Sequence, residues 1–385
     1  MRAEPDVVII GGGATGCGLA WDLALRGISV ALVEKGDLAS GTTGRFHGLL
    51  HSGARYAVSD PDTAGHCATE SAILRRTAAR AVDNTGGLFA FGNEDDPIYL
   101  ERWIDGCRRA GIPAIETTME EARLREPGLD PGITRAFLVP DAVCNSMALC
   151  AALGRAAESL GAKVLTYHRC EEITTRDRRV TGVRITDLRT GVSGELESGI
   201  VVIAAGPWSG RIAQGVGVDL SLDLVRGAMV AFRGNVVKIP VSRLQPPGDG
   251  DIILPRGRVS IAGTTSVVTT DPDDRRVDPW EMERVRAEIQ SLLPGLADAE
   301  MAHAWAGVRP LYDAREKTNG KGRDTHSWSR DFAVLDHAVR DGVPGLVSIV
   351  GGKLTSFRLM AEKTADVVCR MLANAEPCRT ATTEL

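Results

Sequence analysis

The 385-residue chain contains no apolar run approaching the length that spans a bilayer, so nothing in it reads as a membrane helix. It has no long lysine and arginine run, and its formal charge is -5, which gives no electrostatic reason to expect a polyanion; no nucleic acid partner is expected. The eight cysteines (Cys17, Cys67, Cys107, Cys144, Cys150, Cys170, Cys369, Cys378) form no Cys-x-x-Cys pair. They read as reduced, mostly buried thiols, and neither a cluster nor a zinc site is legible, so no metal is expected. Internal repeats and low-complexity segments are absent. No leader is expected ahead of a first strand that begins at about Asp6; the expectation is a cytoplasmic protein, at most peripheral on the cytoplasmic face of a membrane. What is abundant is apolar: 43% hydrophobic residues in a chain longer than one compact domain usually holds predicts two domains.

The first segment with a chemical signature is Val7-Val8-Ile9-Ile10-Gly11-Gly12-Gly13-Ala14-Thr15-Gly16, followed by a helical run and then Val30-Ala31-Leu32-Val33-Glu34. This is strand, glycine turn, helix, and second strand ending in an acid. Gly11 permits the tight turn, Gly13 lets the backbone approach a pyrophosphate, and Gly16 lets the helix pack on the strand, so phosphates meet the helix N-terminus. Glu34 then stands where a ribose hydroxyl is held. A glycine turn alone is weak evidence, but both flanking strands and the acid at the expected spacing make this a dinucleotide site.

Further along, Ser40 to Arg45 is a loop of small hydroxyl and glycine residues beside that site, and Asp62 to Val82 has helical spacing. A strand pattern starts at Gly86 to Phe91, then a helix at Pro97 to Ala110, an acidic helix at Met119 to Arg125, and a close at Leu138 to Asp141. Ser146 to Leu160 is helical and ends at Gly161. Lys163 to Glu172, Val180 to Asp187 and Gly194 to Val202 read as a β-meander whose last strand runs into the unbroken apolar Ile200 to Ile203, stopped by Gly206-Pro207. Between Leu222 and Arg330 the pattern is short strands (Met229 to Phe232, Ile252 to Leu254, Val259 to Ala262), a helix at Pro279 to Leu293, and polar loops near Pro246-Pro247-Gly248 and Thr318 to Asp324. Gly345 to Gly352 is a strand leading through two glycines into a helix at Ser356 to Leu372. Strands of central character therefore occur at the start, middle and end of the chain. The predicted division places residues 1–85, 145–215 and 335–385 in a cofactor domain, and 86–144 and 216–334 in a substrate domain.

That interleaving, a single glycine fingerprint, and a closing helix whose N-terminus can stabilise the negative charge of a reduced isoalloxazine favour FAD over a nicotinamide cofactor. The segments Thr42-Thr43-Gly44-Arg45-Phe46-His47-Gly48-Leu49-Leu50-His51-Ser52-Gly53-Ala54-Arg55-Tyr56, Ala306-Gly307-Val308-Arg309-Pro310-Leu311, Ser329-Arg330-Asp331 and Gly351-Gly352-Lys353-Leu354-Thr355 go further. With them the chain resembles FAD-dependent glycerol-3-phosphate dehydrogenases, and among these the FAD-bearing subunit of the anaerobic enzyme, without its cysteine-bearing C-terminal region. The resemblance runs from Asp6 to about Cys378. It implies an α/β chain in which a glutathione-reductase-like FAD-binding Rossmann domain is interleaved with a D-amino-acid-oxidase-like antiparallel β-sheet domain. It further implies oxidation of a small anionic polyol phosphate, with electrons leaving to quinone or to partner subunits.

Arginine suits the phosphate, since its planar fork bonds oxygens bidentately and keeps its charge. Arg55, Arg309 and Arg330 stand on the matching motifs and are expected to bind substrate, with Tyr56 as a hydrogen-bond donor. Lys353 is expected as a catalytic residue whose charge stabilises the reduced flavin, and Thr355 to complete a hydrogen-bond set at the start of the closing helix. His51 is the candidate base, in a motif shared with Arg55 and Tyr56, although histidine near flavin also serves as scaffold. Some relatives carry a histidine where this chain has Met229, after Arg226-Gly227-Ala228, and methionine cannot accept a proton. Besides Gly11, Gly13, Gly16 and Glu34, the resemblance implies cofactor contacts from Ala14, Thr15, Lys35, Thr42, Thr43, Arg45, His47, Gly48, Leu49, Gly206, Gly352, Lys353, Leu354 and Thr355. The arginine set grips carboxylate as readily as phosphate, so a 2-hydroxy acid, an amino acid or another polyol phosphate remains an alternative substrate. The third reading is a non-catalytic flavin-binding subunit.

Overall fold

The computed structural model describes residues 4–312 and 331–385. Val7–Ile10 is buried along its whole length, as suits a central parallel strand covered on both faces. It pairs in parallel with Val30–Glu34 on one side and Ile200–Ile203 on the other. Among the described residues this sheet has six strands, in the order Phe332–Asp336, Leu346–Gly351, Ile200–Ile203, Val7–Ile10, Val30–Glu34, Lys163–Thr166. Phe332–Asp336 runs antiparallel to its neighbour. Because the other five are parallel, the turns that follow Ile10, Glu34, Ile203 and Gly351 all emerge at one edge, where open α/β sheets bind ligands.

Helices Ala14–Leu25, Ser146–Ser159 and Phe357–Met371 cover one face, with Leu19, Leu23, Leu149, Leu153, Phe357 and Ala361 in the shared core. Arg26 clamps the first helix to the last through Asp22 and Asp366. The opposite face is covered by an antiparallel sheet of His168–Arg176, Arg179–Asp187 and Ser193–Glu197, through Ile173, Val183 and Ile185.

Two of the strands expected for the meander are each divided between sheets. Tyr167, with φ 58, breaks the first, so Lys163–Thr166 stays in the parallel sheet while His168–Arg176 leaves it. The second breaks at Ser198, whose hydroxyl bonds Asp6 O and Ile200 O and turns the exposed Ser193–Glu197 into the buried Ile200–Ile203. The helix expected from Asp62 to Val82 is Pro61–Thr77, capped by the Asp60 side chain on Thr63 N. The expected loop at 40–45 contains one 3-10 turn, Thr42–Gly44.

A second, largely antiparallel sheet of nine strands among the described residues is built around Asp223–Arg233. This strand is eleven residues long, far longer than the Met229 to Phe232 expected. Met301–Leu311 lies along one side of it, with Arg309 opposite Val225, and Val259–Gly263 along the other. Helix Pro279–Gln290 packs Val285 and Ile289 on Val230 and Phe232. Helix Pro97–Arg109 sets Trp103 against Phe89 and Phe137.

Candidate cofactor and substrate site

A cavity of about 790 Å³ opens at the edge where the parallel strands end, within the roughly 300–1,000 Å³ typical of ligand sites. It runs from His168, Arg169 and Cys170, past the glycine turn and Glu34, to Gly351–Thr355, and ends among His51, Arg55, Tyr56, Met229, Thr264 and Arg309.

At the first end, Gly11 has φ 116, and a Cβ there would lie 2.5 Å from Ala204 O; only glycine lets the turn press against the neighbouring strand end. Gly13, Ala14 and Thr15 line the cavity, so the N-terminus of helix Ala14–Leu25 opens onto it; Ala14 N donates to Thr43 Oγ1 at 3.1 Å. Glu34 is drawn into the turn by Gly12 N at 2.7 Å and Gly36 N at 2.8 Å. A helix N-terminus with a carboxylate beside it, in a cavity long enough for more than one ring system, fits the phosphates, ribose and rings of FAD. Lys35 lies over the Trp208 ring, 4.1 Å from its centroid, and Gly206 lines the wall.

At the other end, Gly351 and Gly352 have φ 76 and 75. A side chain at 352 would strike Met360, so the double glycine bends the strand sharply and presents Lys353, Leu354 and Thr355 to the cavity. Lys353 Nζ sits 3.9 Å from the centroid of Tyr56, whose ring meets His51 edge-on at 5.4 Å; His51 in turn stands 6.0 Å from His47. His47 Nδ1 accepts a hydrogen bond from Leu49 N at 3.0 Å, which leaves a proton only on Nε2 of the neutral ring. Burial, then the charges of Arg55 and Arg309, push the His47 pKa down to about 3. His51 is held well below the ordinary histidine value by burial, then by His47, Arg55 and Lys353. Both imidazoles are neutral at physiological pH.

The expected residues differ in how they are engaged. Arg55 lines the cavity but holds Asp251, with Nη1 to Oδ2 at 2.8 Å and Nη2 to Oδ1 at 2.7 Å, and also Gly248 O. Burial alone would lower its pKa, yet the carboxylate keeps it raised. Its charge is thus balanced inside the protein, and Asp251 was not foreseen. Arg309 projects from Met301–Leu311, with Nη2 to Thr265 O at 2.7 Å. Thr355 is buried, and its oxygen accepts from His51 N at 3.1 Å. It ties the start of the closing helix to the histidine segment.

Thr42, Thr43, Arg45, His47 and Leu49 line the cavity; Thr42 is fixed by Val308 O at 2.6 Å. Gly16 and Gly48 are outside the lining. Gly16 instead packs on Gly11 O, the close helix–strand approach expected of it. Arg330, with Ser329 and the polar loop from Thr318 to Asp324, lies outside the described residues. Sequence reasoning missed Thr264 in the lining, and Asp251 and Thr265, which are outside the lining and hold Arg55 and Arg309.

Comparison with known proteins agrees with this geometry. The family model for FAD dependent oxidoreductases, DAO, matches residues 6–358. The chain is 43% identical, over 99% of its length, to an anaerobic glycerol-3-phosphate dehydrogenase subunit of Haloferax volcanii, and 40% identical, over 98%, to its namesake in Escherichia coli K12. It spans 66% and 69% of those two relatives, about two thirds of their length. Among solved structures, glycerol-3-phosphate dehydrogenase from Bacillus halodurans complexed with FAD superimposes with a TM-score of 0.75 at 25% identity, covering 100% of this chain and 68% of that one.

Proposed function

The chain belongs to the FAD-dependent oxidoreductases of the DAO family, and from that premise we propose that it oxidises sn-glycerol 3-phosphate to dihydroxyacetone phosphate. The observation that carries the reading is the convergence of Arg309, Lys353, Tyr56 and a neutral His51 at one end of a cavity whose other end is a dinucleotide turn. Its cofactor is FAD, and the chemistry FAD supplies when bound is acceptance of a hydride from the carbon that carries the alcohol.

The chain's own residues do the rest. Arg309 and Lys353 grip the phosphate, and Arg55, balanced by Asp251, directs hydrogen bonds without adding net charge. Tyr56 orients the substrate beneath Lys353. His51 accepts the hydroxyl proton on an imidazole nitrogen. Its low proton affinity is set by burial, then by His47, Arg55 and Lys353; an incoming phosphate dianion offsets the Lys353 charge and raises the basicity of His51 as substrate binds.

In this proposal residues 1–85, 145–215 and 335–385 hold the cofactor, and 86–144 with 216–334 form the substrate side. Electrons leave to quinone or to partner subunits, the latter suggested by the subunit names of the relatives. The protein works in the cytoplasm or at the cytoplasmic face of a membrane; no helix among the described residues is long and apolar enough to cross one.

The test is an anaerobic titration of the FAD-loaded protein. Glycerol 3-phosphate bleaches the flavin, whereas glycine, proline and 2-hydroxy acids do so far more slowly. Arg309→Ala retains FAD but raises KM by about 10- to 100-fold, the worth of charge-assisted hydrogen bonds. An unbleached spectrum with FAD bound, or faster bleaching by an amino acid, overturns the assignment.

A further inference from the structure

Arg309 is the residue that the proposed grip depends on most, and its surroundings are built to hold it in one place. Its Nη2 donates to the carbonyl of Thr265 at 2.7 Å. Thr265 is fully buried, and its hydroxyl is used twice: it accepts from Ala228 N at 2.9 Å and donates to Glu281 Oε1 at 2.6 Å. Thr265 N also donates to Ala228 O. Glu281, itself fully buried, is held from the other side by Arg226 Nη2 at 2.6 Å and by Asp278 N at 3.0 Å. Arg226 is 1% exposed and also engages Asp278 and Asp274.

The strand opposite completes the seat. Any side chain at Gly227 would collide with Thr264 Oγ1, Thr265 O and the Arg309 guanidinium. Glycine at that position is what allows the carbonyl and the guanidinium to meet. A buried ion pair is an expensive element; here it ends on a carbonyl that faces the cavity cation.

The geometry points to Thr265 and Glu281 as positioning residues for substrate recognition. Glu281, locked by Arg226, fixes the Thr265 hydroxyl, and Thr265 thereby aims its carbonyl so that the Arg309 guanidinium holds one orientation toward the substrate anion. Neither residue touches the substrate. This rests on the reading of Arg309 as the anion grip, and the experiment separates the two.

Wild type, Thr265→Val, Thr265→Ser, Arg309→Ala and the Thr265→Val/Arg309→Ala double variant are compared for FAD content, kcat, KM for glycerol 3-phosphate, and calorimetric binding of inorganic phosphate. Thr265→Val, which removes both hydroxyl bonds, raises KM and the phosphate dissociation constant by about 5- to 10-fold with kcat within about twofold. Thr265→Ser, which keeps the hydroxyl, restores both. In the Arg309→Ala background the valine adds nothing, because the group it would misplace is gone.

If Arg309→Ala leaves KM and phosphate affinity unchanged, the anion-grip reading itself fails. If Arg309→Ala raises them but Thr265→Val does not, or if the two effects simply add, the positioning role is overturned. Should Thr265→Val fail to hold FAD, Thr265→Ala, which also lacks the hydroxyl and is smaller than the native side chain, carries the test in the same cycle, and an unchanged KM there overturns the proposal equally.

Discussion

Acidification should destabilise this protein through His47 by an amount the structure sets. His47 is buried at 8% exposure, accepts from Leu49 N through Nδ1, and has its pKa lowered to about 3 by burial, Arg55 and Arg309. In the unfolded chain the same imidazole titrates near 6.5. Between those two values the unfolded state binds a proton that the folded state refuses. The stabilisation is therefore complete above about 6.5 and is lost as pH falls toward about 3. From pH 7 to pH 5 the unfolded-state protonation of one such histidine amounts to about 2 kcal/mol. His51 is shifted in the same direction and adds to the slope.

Buried carboxyl groups pushed upward by desolvation, namely Glu70, Glu126 and Asp141, act in the opposite sense as they gain protons. The measurement is therefore a difference. Urea unfolding in saturating FAD, at pH 7 and pH 5, is compared between wild type and His47→Asn, whose side-chain oxygen can still accept from Leu49 N. Wild type is expected to lose about 2 kcal/mol more than the variant over this interval. Equal losses would refute the placement of a neutral, buried imidazole at this position.

Two further outcomes follow from other contacts. Glu34→Gln keeps one of the two oxygens that bind Gly12 N and Gly36 N, and is expected to raise the FAD dissociation constant about tenfold, for the loss of one charge-assisted bond; flavin fluorescence on dilution measures it. Asp251→Asn strands the guanidinium of Arg55 in a pocket where Asp251 is 1% exposed, at about 3–5 kcal/mol. The melting temperature should fall by several degrees, and the double variant Arg55→Met/Asp251→Leu should regain most of the stability but not the activity.

The elements that were legible in the sequence are those whose cause is local. The turn from Gly11 to Gly16, the acid at Glu34 and the double glycine at 351–352 need only their own neighbours to be recognised, and each lines or shapes the cavity edge. The contrast between the polar Ser193–Glu197 and the apolar Ile200–Ile203 was present too, but continuous β propensity across Ser198 and Gly199 hid the change of sheet. Met301–Leu311 is rich in alanine and glycine and contains Pro310, so it offers little strand pattern. It becomes a strand because Asp223–Arg233 supplies a partner edge along nearly its whole length.

The unread part of the site has a different cause. Asp251 meets Arg55 across 196 positions and Thr265 meets Arg309 across 44, distances over which no spacing rule operates. Glu281 is more instructive. Standing three residues after Asp278 and just inside a helix that begins at Pro279, it has the pattern of a capping box, and it does accept from Asp278 N through Oε2. Its other oxygen takes the Thr265 hydroxyl. The cap accounts for the sequence pattern entirely, so the second contact leaves no trace in the pattern, although it connects this helix, through Thr265, to the cavity arginine. Had Glu281 served only as a cap, its side chain would gain nothing by leaving solvent, since an exposed carboxylate caps equally well and avoids desolvation. Its complete burial beside Arg226 is accounted for by what the carboxylate holds on its far side.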